Sequence, residues 1–222
     1  MNITRNIGLV ILCFLACSAV SAQETAQQKL DSLGARLQRL QDANEIEIVQ
    51  RTYGYFVDKG MWTEISQLFH EQGTYEIGGR GVFVGPARVL EYLRVGLGAE
   101  RPAEGRLINH MQFAPITTVN PDGRTASERM KAFVMSNGGW GDVIYENTYV
   151  KEDGIWKVAS IRAPFVMYTS VDGWAKAATP NTRPDSFPPP PDRLPTTVYL
   201  TYPSPHIVPF HYPNPVTGQP YR

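Results

Sequence analysis

Residues 107–166 read LINHMQFAPITTV, NPDGR, TASERMKAFVMS, NGGWGD, VIYENTYVK, EDG and IWKVASIRAPFV. The long pieces are rich in β-branched and aromatic residues and alternate in polarity, which predicts strands over Leu107 to Val119, Thr125 to Ser136, Val143 to Lys151 and Ile155 to Val166. The short pieces are turn chemistry: Pro121-Asp122-Gly123, Asn137-Gly138-Gly139 and Glu152-Asp153-Gly154. Four strands joined by tight turns make an antiparallel meander.

Upstream the period changes. Leu30, Leu33, Leu37 and Leu40 follow a 3-4-3 spacing, so Gln27 to Gln41 reads as an amphipathic helix. Asp42-Ala43-Asn44-Glu45 has the pattern of a capping box that opens or re-registers a second helix. That helix carries Ile46, Val49, Tyr53, Phe56 and Val57 on one face, and Gly60 ends it. Trp62, Ile65, Leu68 and Phe69 predict a third, short helix running to about Gly73. Thr74 to Ile77 and Val82 to Val84 flank Gly78-Gly79-Arg80-Gly81 as a hairpin. Gly85-Pro86 then opens a helix with Val89, Leu90 and Leu93 on one side. Helices first and a meander after predict an α+β domain whose sheet folds over the helices.

The chain has 222 residues, with 21 basic and 21 acidic side chains balancing to zero net charge. No positive excess exists to release counterions, which disfavours a nucleic-acid partner. An apolar share of 42% fits a chain with its own core rather than a disordered one.

The two ends differ from the middle. Residues 1–22 place Arg5 before the apolar run Ile7 to Ala16 and end Val20-Ser21-Ala22, the order of a secretory signal peptide. The run is too short to span a bilayer. A weaker alternative makes Cys17 a lipid-anchored residue. Both cysteines, Cys13 and Cys17, fall in this leader, so cleavage would leave a chain without thiols or disulfides. The expected site of action is the periplasm or the extracellular space. Residues 179–222 hold 13 of the 18 prolines, and with them Phe187, Tyr199, Tyr202, Phe210 and Tyr212. Proline blocks helix and central strand, while the aromatics argue against a mere linker. An ordered, extended arm over the domain or a neighbouring subunit is expected. The division is therefore 1–22 leader, 23–43 N-terminal helix, 44–178 domain and 179–222 arm.

One combination of motifs goes further. It comprises Tyr55 to Phe69, then Gly73-Thr74-Tyr75-Glu76-Ile77, Gly85-Pro86, His110 in the 107–119 strand, Asp122-Gly123-Arg124-Thr125-Ala126, and Asp153 to Val158. Over Asn44 to Val166 this order resembles the SnoaL-like family of the nuclear transport factor 2-like superfamily, which includes scytalone dehydratase and ketosteroid isomerase. The resemblance implies a cone-shaped, curved antiparallel sheet around the N-terminal helices, enclosing a deep apolar pocket. It implies small-molecule chemistry without a cofactor, by acid–base groups alone.

Asp58 and His110 stand where the family carries its pocket aspartate and its third-strand histidine. They are the expected catalytic pair, since imidazole exchanges protons near neutrality and a carboxylate can orient it. The second histidine of scytalone-type enzymes would fall near Met135 and is absent. Tyr53, Tyr55, Tyr75, Arg129, Met135 and Tyr145 are the expected substrate contacts. Arg129 would supply a cation for an oxyanion if its strand face points inward; otherwise Glu128 and Met130 would line the cavity. His70 reads as a charge partner at a helix end, and Trp62 as packing beneath the pocket. His206 and His211 lack matched ligands, so no metal site is expected. The expected activity is a lyase, a dehydratase or a retro-aldol eliminase, acting on a small hydroxylated aromatic or polycyclic compound. The alternatives are an isomerase or cyclase, or a non-catalytic binding or dimerisation module. A homodimer or higher homo-oligomer is expected in any of these cases.

Overall fold

A computed structural model describes residues 25–101, 107–136, 138–170, 188–199, 211 and 220. The leader, Asn137 and most of the arm lie outside the described residues. The elements run α1 (Ala26–Asp58), α2 (Trp62–Ser66), β1 (Phe69–Ile77), β2 (Val82–Val84), α3 (Pro86–Gly96), β3 (Ile108–Val119), β4 (Thr125–Ser136), β5 (Gly139–Glu152), β6 (Ile155–Ala163) and β7 (Phe165–Ser170). The chain divides into two compact units, one ending at Gln38 and one beginning at Arg39. In the first unit Leu30, Leu33 and Leu37 are all exposed.

The expected capping box is not one. α1 is continuous, and Asp42 sits inside it, 1% exposed. A buried carboxylate needs partners. Asp42 accepts hydrogen bonds from Lys151 Nζ at 2.6 Å and Trp156 Nε1 at 3.0 Å. The buried line of α1 is Asp42, Ile46, Gln50, Tyr53 and Val57, so two of its polar residues face the core. Gly60 does end the helix. Its φ is +58°, its N–H donates to Val57 O, and Met61 N–H reaches back to Phe56 O, the paired bonds of a glycine-terminated helix.

The third helix is shorter than expected. α2 stops at Ser66, and His70 lies in β1 rather than at a helix end. Trp62 is fully buried and donates to Gly98 O.

The sheet is seven-stranded, curved and not closed, in the order β2-β1-β6-β5-β4-β3, with β7 also on β5. It is mixed rather than antiparallel, because β1 and β6 pair in parallel. Parallel neighbours need a long crossover, and everything from β2 to β5 serves as that connection. The strand expected over 155–166 is two strands. Pro164 has no N–H for the ladder, and the chain shifts there, so β6 pairs with the C-terminal half of β5 and β7 with its N-terminal half. Bulges between Phe113 and Ile116 on β3, and between Phe69 and Thr74 on β1, add bend.

The arm segment 188–199 runs beside β2. Val82 N–H donates to Arg193 O, and Asp192 N–H to Val82 O. The Asp192 carboxylate accepts from Val84 N–H and Arg88 Nε. Glu76 accepts from the backbone and hydroxyl of Thr196. Gly81 allows this approach: a Cβ there would stand 2.3 Å from Pro191 Cβ.

Candidate functional site

Between α1, α3 and the concave sheet face lies a cavity of about 350 Å³, within the usual range for small-molecule sites. α1 contributes Tyr53 and Val57, β1 Tyr75 and Ile77, and α3 Tyr92. β3 contributes Ile108 and His110, β5 Val143 and Tyr145, and β7 Phe165 and Tyr168. Most of the wall is aromatic or aliphatic.

His110 and Asp58 meet at this wall. Asp58, in the last turn of α1, accepts the backbone N–H of His110 at 2.7 Å, and the same oxygen lies 3.5 Å from His110 Nδ1. Both side chains are largely buried, at 18% and 17% exposure. Nδ1 is buried and makes no hydrogen bond. His110 lines the cavity; Asp58 stands behind it. A small rotation of the imidazole would complete an Nδ1–H bond to the carboxylate, and such bonds are often long in ligand-free sites.

A set of phenols lines the same cavity as His110. The hydroxyls of Tyr53 and Tyr75 are 2.9 Å apart. Tyr53 meets Tyr145 edge to face at 6.1 Å, and Tyr75 meets Tyr92 at 5.4 Å. Burial pushes the Tyr145 hydroxyl up to about 12 and raises those of Tyr53 and Tyr75 as well. These phenols are therefore neutral donors at physiological pH, not bases.

Arg80 is a wall residue that its glycine-flanked turn concealed in the sequence. The Gly78-Gly79-Arg80-Gly81 turn carries positive φ at all three glycines. Gly78 lies so close to Phe165 that a Cβ would stand 2.6 Å from its ring. This approach aims Arg80 into the cavity, with its guanidinium 5.9 Å from the Phe165 ring centroid. Arg80 Nη1 donates to the Tyr92 hydroxyl at 2.9 Å. Tyr92, Tyr168 and Ser136 were also missed. Ser136 Oγ hydrogen-bonds to the Tyr168 hydroxyl. Tyr92 could have been read from its place beside Leu93 and three residues after Val89 on the buried face of α3.

Of the expected substrate contacts, Tyr53, Tyr75, Tyr145 and Met135 line the cavity. Two are corrected. Tyr55 is 73% exposed on α1 and is not part of the wall, because two residues along a helix from Tyr53 turn the side chain through roughly 200°. Arg129 points to the outer sheet face, where it pairs with Glu146. Glu128 and Met130 do face inward, but they are core residues that do not reach the cavity. Glu128 is 0% exposed, and burial raises its carboxyl to about 7. Thr117 Oγ1 donates to it, and the Tyr149 hydroxyl lies 2.8 Å from its other oxygen and 3.0 Å from Gln50 Oε1. Among the described residues no three His, Cys, Asp or Glu side chains cluster to hold a metal ion, and no helix is long and apolar enough to cross a membrane. His211 Nδ1 lies 2.9 Å from Glu146 Oε2; His206 is outside the described residues.

Residues 38–162 match the SnoaL-like domain family, more than half of the chain, and the chain belongs to that family. Its fold is shared with solved structures. A proposed scytalone dehydratase from Novosphingobium aromaticivorans is 21% identical, with a TM-score of 0.53 over 60% of this chain and 89% of that one. A hexachlorocyclohexane dehydrochlorinase, LinA type 3, from Novosphingobium barchaimii is 16% identical, with a TM-score of 0.54 over 62% and 95%. An NTF2-like protein with a cystatin-like fold from Novosphingobium aromaticivorans is 23% identical, with a TM-score of 0.50 over 70% and 96%. A comparison with curated proteins found no significant match.

Proposed function

We propose that this protein is an exported, cofactor-independent lyase acting on a small hydroxylated aromatic or polycyclic compound. The observation that carries this reading is the Asp58–His110 pair at the wall of an aromatic cavity that neutral phenols also line. Once the imidazole turns to complete its Nδ1–H bond to Asp58, Nε2 is left as the base. His110 takes a proton from carbon next to a carbonyl or aromatic ring. The electron pair left behind forms the new double bond as a hydroxyl departs, and the imidazolium returns its proton to that hydroxyl, releasing water. Tyr53 and Tyr145 donate to the oxygen that gains charge on the way. The fold neighbours named as a dehydratase and a dehydrochlorinase are consistent with elimination as the reaction class. Isomerisation would use the same groups without loss of the hydroxyl.

The test is turnover of a panel of hydroxylated aromatic ketones by His110→Ala, with folding checked by circular dichroism. Loss of turnover in a folded variant supports the reading; unchanged rates overturn it.

The outer face of β3 to β5 exposes Met111, Phe113 and Ile116 and favours, as a second reading, a homodimer through that face. The exposure alone does not bear on catalysis. A monomer by light scattering would remove it.

A further inference from the structure

The cavity wall carries two chemically distinct groups. One is His110; the other is Arg80, which lies beside Tyr92 and Phe165. Among the described lining residues Arg80 is the only arginine or lysine, and none is an aspartate or glutamate. A guanidinium presents five N–H donors in a fixed plane. One of them goes to the Tyr92 hydroxyl, which fixes the head group, and the Phe165 face lies beside it. Phe165 and Tyr168 stack on each other at 5.6 Å with an interplanar angle of 22°, so the wall next to the cation is aromatic. The hydroxyl-bearing neighbours Tyr53, Tyr75 and Tyr145 are held neutral by burial, so they hydrogen-bond a ligand oxygen without competing as anions. Such a wall recognises a planar ring that ends in an anionic oxygen group, since a guanidinium in a poorly solvated site binds carboxylate or phenolate with charge-assisted bonds.

We propose that Arg80 makes this cavity selective for aromatic ligands bearing an anionic oxygen, a ring carboxylate or an ionised phenol, seated against the guanidinium. This inference deepens the lyase reading by naming the charge of its substrate, and it rests on that reading only for the word substrate; the binding itself is independent of turnover. Gly78, with positive φ and no Cβ, lets the hairpin tip pack against Phe165, and Arg80, two residues on, lines the cavity.

The experiment is a calorimetric titration of the full chain with 2-naphthoate and its neutral isostere 2-naphthamide. Wild type is expected to bind the acid at least about 10-fold more tightly, a modest return for a charge-assisted bond. In Arg80→Gln the preference is expected to fall to within about twofold, with naphthamide affinity kept. Arg80→Lys should restore part of it. Titrating 2-naphthol above and below its own ionisation separates the sources: tightening only for the ionised form identifies phenolate as well as carboxylate, and no tightening restricts the site to carboxylates. Equal affinity for acid and amide in wild type overturns the proposal without recourse to any variant, as does failure of the acid to bind. His110→Ala is the separating control. If it keeps the acid preference and full turnover, the lyase reading fails while the Arg80 inference stands; if it keeps the preference and loses turnover, both stand.

Discussion

β4 and β5 present two faces built from the same residue types and used in opposite ways. Outward, Arg129 pairs with Glu146, both side chains largely buried, and Lys131 pairs with Asp142 nearer the solvent. Inward, Glu128, Asn147 and Tyr149 form a buried hydrogen-bonded cluster with Gln50, while Tyr145 opens onto the cavity. Charges on the outer face are neutralised by partners of opposite sign. Polar groups inside are either kept neutral by desolvation or tied to a specific bond. Under the proposed function, chemistry is confined to the few inner groups that can still exchange a proton or hold a charge.

The largest effect should come from breaking the inner face at His110. His110→Ala is expected to lower kcat/KM by about 10²- to 10⁴-fold, while Arg129→Gln on the outer face changes it less than about twofold. Steady-state kinetics of the two purified variants on one substrate decides it. Comparable losses in both would erase the distinction between the faces. Asp58→Asn should fall between them, since it leaves the imidazole in place and removes only the carboxylate behind it.

Asp42 gives the next largest effect, on stability. Asp42→Ala removes the acceptor of Lys151 Nζ and Trp156 Nε1. Breaking one side of a buried ion pair costs about 3–5 kcal/mol. Urea denaturation should show that loss; a change below about 1 kcal/mol would mean that water already serves these donors.

Residues such as Asp42 also show where the sequence was readable. The turns punctuate the strands, and β4 runs from Thr125 to Ser136 as expected, but β5 begins at Gly139, four residues before the expected Val143. Pattern rules look only a few residues away. Asp42-Ala43-Asn44-Glu45 has capping spacing, but its meaning was set by Lys151 and Trp156, more than a hundred residues on. Alternation sorted β4 into two faces without naming the inner one. Phe133 and Met135 make Arg129's face look as apolar as the face of Met130 and Val134, so alternation leaves both orientations of Arg129 open. The parallel pairing of β1 with β6 and the break at Pro164 likewise depend on which strands meet. Asp58 and His110 were recoverable through family resemblance, whereas Arg80 was not, because positive-φ glycines decide where its side chain points.

Glu128 offers a smaller, pH-dependent effect. Its carboxyl is raised to about 7 by burial, so between the ordinary carboxylate range and pH 7 the folded chain holds a proton that the unfolded chain has lost. Stability contributed by that proton is complete at low pH and is lost as pH rises through 7. The shift corresponds to at most about 3 kcal/mol. Glu128→Gln keeps an amide that can donate toward Tyr149 while Tyr149 donates to Gln50, so the variant should be more stable than wild type at pH 8 and no more stable at pH 5. Thermal melts across that range measure it, and parallel pH profiles for the two chains would show that Glu128 does not titrate with folding.

The smallest effect belongs to the outer pair Lys131–Asp142. Lys131 is nearly half exposed, and water screens such a pair, so its contribution is about 0–1 kcal/mol. Lys131→Gln should shift the urea midpoint barely, and less at high salt than at low. Phe133 occupies the same face two residues on, opposite Met111 and ring-to-ring with Trp140 at 5.2 Å. If that face is covered by a second copy, Lys131→Gln should act instead on association, raising or lowering the dissociation constant with little change in the unfolding of the monomer. A midpoint that moves with protein concentration in wild type but not in Phe133→Glu would locate the contact on the outer face and leave the inner one to the ligand.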